Sequence, residues 1–133
     1  KNGAAFLDLP QAEQEHVAPA RQLLELGVPV AAGTDNTPYD PLSVMRVMML
    51  REERTTGRAV GPAARLAAEA ALGVLTWAGA WFTFEDGVKG RLLPGWYADC
   101  AVLSRNPLDV DPREYDGITC LATLVGGTFV HRV

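Results

Sequence analysis

Residues 23–35 read LLELGVPVAAGTD, and the order of residue types in this stretch indicates the fold class. Good helix formers fill residues 20–26, and Gly27 supplies the left-handed residue that commonly ends a helix. The apolar run at 28–32 has no polar alternation, which is typical of a parallel strand buried on both faces. A helix, a tight glycine turn and a buried strand together predict an α/β layer or barrel.

Two further helices are predicted on the carboxyl side of this strand. Asp40 can cap a helix that starts at Pro41 and runs to about Glu53. This helix is apolar nearly all round, so we expect neighbouring elements to cover most of it. Residues 63–81 carry apolar side chains at three- and four-residue steps, which predicts one long helix.

The residue pattern of the chain changes near Gly87, where short β-prone runs replace the helical pattern. Pro94-Gly95 has the order of a type II turn, and Gly126-Gly127 has that of a two-residue hairpin turn. Four strands are predicted, at 89–93, 98–103, 118–125 and 128–133. We therefore predict two units, residues 1–86 and residues 87–133.

Composition excludes several classes of function. The 133 residues include 12 Lys and Arg against 16 Asp and Glu, a net charge of −4, which argues against a nucleic-acid surface. No apolar run approaches the roughly 20 residues that cross a bilayer, and the start does not resemble a signal peptide, so no membrane partner is expected. Cys100 and Cys120 are interpreted as small core side chains in a reducing compartment, which makes a cytoplasmic location the expectation.

Few residues are candidates for chemistry. Asp35 directly follows the predicted buried strand, and ligands of α/β folds bind at the carboxyl ends of strands. The alternative is a turn aspartate that hydrogen-bonds its own backbone. Asp99 is expected to satisfy backbone N–H groups of the turn before it. Glu52 and Glu53 are interpreted as a solvated helix end.

The histidines form no metal-binding motif. His16 and His131 are far apart in the chain, and there is no His-x-His or His-Glu-x-x-His pattern. We expect both side chains to be exposed, and no complete metal site of the common kinds within this chain.

The order of these segments resembles the C-terminal end of an amidohydrolase of the family 3 type. Residues 23–35 are similar to the last barrel strand of that family with its terminal aspartate, and Asp40-Pro41-Leu42 is similar to the start of the next helix. Residues 90–103, GRLLPGWYADCAVL, are the most specific match, because they resemble the family's entry into its small β domain.

The resemblance implies an α/β fold in which residues 1–86 are the C-terminal part of a TIM-like barrel. Residues 87–133 would be the C-terminal half of a small β-sandwich. It also implies hydrolysis of an amide C–N or ester C–O bond by water bound to a divalent metal, usually zinc. Asp35 matches the family's proton-shuttling aspartate, which can also contact the metal. Asn36, Thr37 and Tyr39 would contact the small-molecule substrate.

The remaining metal ligands of the family have no counterpart in this sequence, so the isolated chain is expected to bind no metal and to be inactive. Two alternatives stay open. One is a non-catalytic module that packs, binds a partner or forms homo-oligomers through exposed sheet edges. The other is an unrelated α/β domain in which Asp35 is only a turn residue.

Overall fold

The computed structural model describes residues 3–35 and 39–133. The described helices are α1 (Gly3–Phe6), α2 (Gln11–Gln14), α3 (Ala20–Glu25), α4 (Pro41–Leu50), α5 (Ala68–Leu75) and α6 (Trp77–Phe82). Short 3₁₀ helices lie at Pro62–Ala64 and Pro112–Gly117. The strands β1 (Cys100–Leu103), β2 (Cys120–Val125) and β3 (Thr128–Arg132) form one antiparallel sheet in the order β1-β2-β3. Helices with a small sheet are compatible with the predicted α/β class.

Local signals for helix ends agree with the structure. Gly27 follows α3 with a φ of 76°. The Asp40 carboxylate accepts from the backbone N–H groups of Leu42 and Ser43, both at 3.0 Å, and so caps α4. Helix α4 ends at Leu50 instead of Glu53 because Arg51 takes the left-handed conformation with φ 49°.

The predicted covering of α4 is only partly right. Met45 is fully buried, and Met48 and Met49 pack partly buried against the core. Val47 on the same helix keeps 60% of its surface exposed. One face of α4 is therefore open in the described part of the chain.

The predicted strand at 28–32 is wrong for this structure, because these residues have no regular secondary structure and no strand partner. Val30 and Ala32 pack partly buried against the core, and the Ala32 N–H donates to the Val74 carbonyl at 3.4 Å. A parallel strand is stabilised by hydrogen bonds to neighbouring strands. The sheet in the described residues is built from 100–132 and does not reach this segment.

The predicted single helix at 63–81 is also wrong, because it is broken twice. Leu66 is not helical, because its N–H donates to the Met48 carbonyl at 3.1 Å. Thr76 interrupts the pattern between α5 and α6 with φ −116° and ψ −87°. Its hydroxyl donates to the Leu72 carbonyl at 2.8 Å, a side-chain bond that competes with the helical ladder.

Three of the four predicted strands are present, although β1 and β2 each begin two residues later than expected. The hairpin turn is confirmed, because Gly126 and Gly127 have φ of 56° and 78° between the paired residues Val125 and Thr128. The Pro94-Gly95 turn is confirmed as well, with Gly95 at φ 84°.

No strand forms at 89–93, because this segment folds back on α6. Gly90 has φ 89°, and a Cβ there would lie 2.8 Å from the Cβ of Ala80. The Arg91 guanidinium lies 5.1 Å from the ring centre of Trp77, a cation–π contact. Glycine at 90 therefore permits the close approach that replaces strand pairing.

The core joins the helices to the C-terminal segment. Its buried cluster consists of Met45, Leu66, Ala71, Val74, Tyr115 and Ile118. Residues from both sides of position 87 pack together there, and the division into two units stays a prediction. In the described residues, no helix is both long enough and apolar enough to cross a membrane.

Candidate functional site

Asp35 closely follows the apolar segment at 28–32. Its backbone is left-handed, with φ 55°, and its surface is exposed. Aspartate adopts this conformation more readily than most residues because its short polar side chain can bond locally. The packing of Val30 and Ala32 against the core sets where this carboxylate emerges.

Of the three residues predicted to contact the substrate, one lies within the described part of the chain. Asn36 and Thr37 lie outside the described residues, and Tyr39 is 77% exposed. Within ranges 3–35 and 39–133, no three His, Cys, Asp or Glu side chains are grouped so as to hold a metal ion. The donor set described here does not fit a resident metal, since one carboxylate alone binds such an ion weakly.

Two surface cavities, of about 310 and 500 Å³, lie elsewhere. The first is lined by residues that include Glu85, Lys89 and Asp99, and the second lies beside α3 and α5. Asp35 lines neither of them. In the part of the chain that the structure describes, the carboxylate of Asp35 is exposed and belongs to neither of these two cavities.

Comparison with known proteins identifies the family of the chain, which the geometry alone does not. The sequence model of the amidohydrolase family matches residues 6–131, nearly the whole chain. The chain belongs to the amidohydrolase family. No curated protein and no solved structure matches it. The predicted resemblance is thereby confirmed at the level of the family, which places the chain among hydrolases.

Asp99 has a structural role in this amidohydrolase chain, at a different turn from the one predicted. Its carboxylate accepts from the Gly126 N–H at 2.7 Å, and the Gly127 N–H donates to the Ala98 carbonyl at 3.0 Å. These bonds hold the Gly126-Gly127 hairpin turn against the residues that lead into β1. The turn before Asp99, at Pro94-Gly95, is instead closed by a bond from the Trp96 N–H to the Leu93 carbonyl.

The interpretation of Glu53 as a solvated residue is wrong. Only 9% of its surface is exposed. Its carboxylate accepts from the backbone N–H groups of Thr55 and Thr56, at 3.0 and 2.8 Å, and from the Thr56 hydroxyl at 2.8 Å. These bonds lower the pKa of Glu53 from 4.5 to about 2, because they favour the charged form. Gly3 packs so closely that a Cβ there would lie 2.9 Å from Glu53 Cγ.

Replacing Glu53 by glutamine is expected to destabilise the chain at neutral pH and to matter less in acid. The lowered pKa of about 2 means that the carboxylate stabilises the fold above pH 4.5, and that this contribution disappears as the pH falls toward 2. Thermal melts of both proteins between pH 7 and pH 2 measure the effect. A difference in melting temperature that stays constant over this range would contradict the assigned role.

The remaining candidates from the sequence are the two histidines and the two cysteines. His16 and His131 are exposed. Cys100 and Cys120 are free thiols and are only half-buried, so the prediction of core positions is partly right. Within ranges 3–35 and 39–133, neither pair belongs to a group of three side chains that could hold a metal ion.

Proposed function

We propose that residues 1–133 are the C-terminal portion of a metal-dependent hydrolase that cleaves an amide C–N or ester C–O bond of a small molecule. The carrying observation is the family match over residues 6–131, together with an aspartate that closely follows an apolar segment. Hydrolase family membership supports the reaction class, and Asp35 supplies a carboxylate for the proton transfers of such a reaction.

In this proposal, the segment at 28–32, which has no strand partner in the described residues, would become the last strand of a TIM-like barrel in the full-length enzyme. The support is that the segment is apolar and that Val30 and Ala32 already pack partly buried against the core. Its backbone groups would pair with barrel strands that the described residues do not provide. Residues 1–86 would thus complete a barrel, and residues 87–133 would form half of a small β-sandwich.

The metal, zinc by the preference of the family, would be held mainly by histidines that the described residues do not contain. When bound, such an ion makes water acidic enough to supply a hydroxide at neutral pH. Asp35 is the one family ligand position matched in this chain, and it would contribute a carboxylate at the edge of that site.

Asp35 acts as the proton shuttle. Its carboxylate accepts a proton from the attacking water as the new C–O bond forms at the carbonyl carbon. It then gives that proton to the leaving nitrogen or oxygen as the scissile bond breaks. Asn36, Thr37 and Tyr39, which follow Asp35 in the chain, would contact the substrate at the mouth of the site.

The isolated 133-residue chain is expected to hold no stoichiometric metal and to show no turnover. Its described residues offer no group of three ligands, so added zinc should be removed by desalting. Metal analysis by mass spectrometry, combined with assays on amide and ester substrates, tests this. One equivalent of retained zinc with turnover would overturn the assignment of the remaining ligands to other parts of a larger enzyme.

A further inference from the structure

An open groove of about 500 Å³ lies between α3 and the amino-terminal end of α5. Its apolar lining includes Leu24, Leu66 and Ala70, and its charged lining is Arg21, Glu25 and Arg65. The volume is in the range of small-molecule sites, which combine apolar walls with a few polar groups. Asp35 is not among the residues that line this groove.

Both arginines are held by bonds that leave part of each guanidinium unused. Arg65 donates from Nε to the Leu50 carbonyl at 2.8 Å. Arg21 donates from Nε to Glu25 at 2.8 Å and from Nη1 to the Ala63 carbonyl at 3.1 Å. A guanidinium has five N–H donors, so both side chains retain donors for a further acceptor. Because these bonds already restrict both arginine side chains, binding a ligand would cost less side-chain conformational entropy.

The charge around the groove differs in sign from that of the whole chain. The charged lining of Arg21, Arg65 and Glu25 gives the groove a local surplus of one positive charge in a chain of net −4. Arg51 is close enough to Arg65 and Glu15 for their charges to act on it. Burial lowers the pKa of Arg51, and the neighbouring charge of Arg65 lowers it further against the opposing effect of Glu15. A positive surface region in an acidic chain attracts anions.

We propose that this groove binds a small carboxylate that carries a short apolar chain. The planar fork of a guanidinium matches both oxygens of a carboxylate. The aliphatic lining formed by Leu24, Leu66 and Ala70 would then cover the apolar chain of the ligand. Arg65 is the principal anion-binding residue, because Arg21 is already paired with Glu25.

The probe for this proposal is hexanoate, and hexanamide serves as its uncharged counterpart. Titration of the isotopically labelled chain, followed by amide chemical shifts, should give saturable shifts of residues that line the groove with a Kd of about 1 mM. Hexanamide should bind at least fivefold more weakly. Equal binding of the two compounds, or the absence of saturable shifts, would overturn the proposal.

Two variants locate the binding. Arg65→Gln should weaken hexanoate at least fivefold, whereas the matched Arg105→Gln, which removes an arginine paired with Glu114 outside the groove, should leave it unchanged. Ala70→Leu keeps all the charges and fills the apolar lining, so it should also weaken binding. This variant keeps the proposal testable if Arg65→Gln lowers the melting temperature too far for the titration. Binding that persists in Ala70→Leu, or that falls equally in Arg105→Gln, would refute the assigned location.

Discussion

Replacing Tyr115 by alanine is expected to lower the free energy of unfolding by about 3–5 kcal/mol, the usual cost of removing a large aromatic side chain from a core. Only 2% of Tyr115 is exposed, and it belongs to the buried cluster that joins the C-terminal segment to α4 and α5. Its hydroxyl donates to the Pro107 carbonyl at 2.7 Å. Urea unfolding followed by fluorescence or circular dichroism measures the loss.

Tyr115→Phe separates the ring from the hydroxyl. It should cost about 1–2 kcal/mol, because the buried Pro107 carbonyl loses its donor. Burial, helped by the charge of Asp111, raises the pKa of Tyr115 above 10.0. The wild-type chain should therefore lose stability as the pH rises past 10, and the phenylalanine variant should lose less. A loss below 1 kcal/mol for Tyr115→Ala would show that the two parts of the chain are not joined by this core.

Arg51→Met is expected to cost about 3 kcal/mol or more, because several backbone carbonyls lose a charged donor at once. Arg51 follows α4 in the left-handed conformation and ties the N-terminal segment to that helix. Its guanidinium donates to the carbonyls of Val60 at 2.8 Å, Val17 at 2.7 Å, Ala18 at 3.2 Å and Gln14 at 3.3 Å. Urea unfolding again provides the measurement.

Arg51→Lys is the matched control for charge. A single ammonium group cannot reach these carbonyls with the fixed fork of a guanidinium, so lysine should recover only part of the lost stability. Full recovery by lysine would mean that charge alone matters. A loss under 1 kcal/mol for Arg51→Met would contradict the structural role assigned to these bonds.

Features that depend only on residues adjacent in the sequence can be predicted for this chain. Asp40 and Pro41 begin α4 as expected, and Gly126-Gly127 forms the hairpin turn, because capping and positive φ depend on the residues themselves. The segment at 28–32 is different, since a strand exists only with a partner strand. Its apolar pattern correctly indicates contact with the core, but pattern alone cannot provide the pairing.

The site is predictable only in part for the same reason. The position of Asp35 after an apolar segment can be inferred locally. The metal ligands proposed to surround it have no counterpart in this sequence, and Asn36 and Thr37 lie outside the described residues. Glu53 was missed because its environment depends on Gly3, fifty residues earlier, as well as on the nearby Thr55 and Thr56. The sequence signal for this environment is the Thr-Thr pair two residues after the glutamate. Its N–H and hydroxyl groups can donate hydrogen bonds to the carboxylate.

The proton-shuttle role of Asp35 is tested most directly by comparing kcat/KM for Asp35→Asn and Asp116→Asn in the full-length hydrolase proposed here. Both changes remove one exposed carboxylate, and Asp116 forms only a surface ion pair with Arg46 at 3.2 Å. Loss of a positioned acid–base group should lower kcat/KM about 10²- to 10⁴-fold in Asp35→Asn, while Asp116→Asn stays close to wild type. Wild-type turnover by Asp35→Asn would contradict the proposed chemistry.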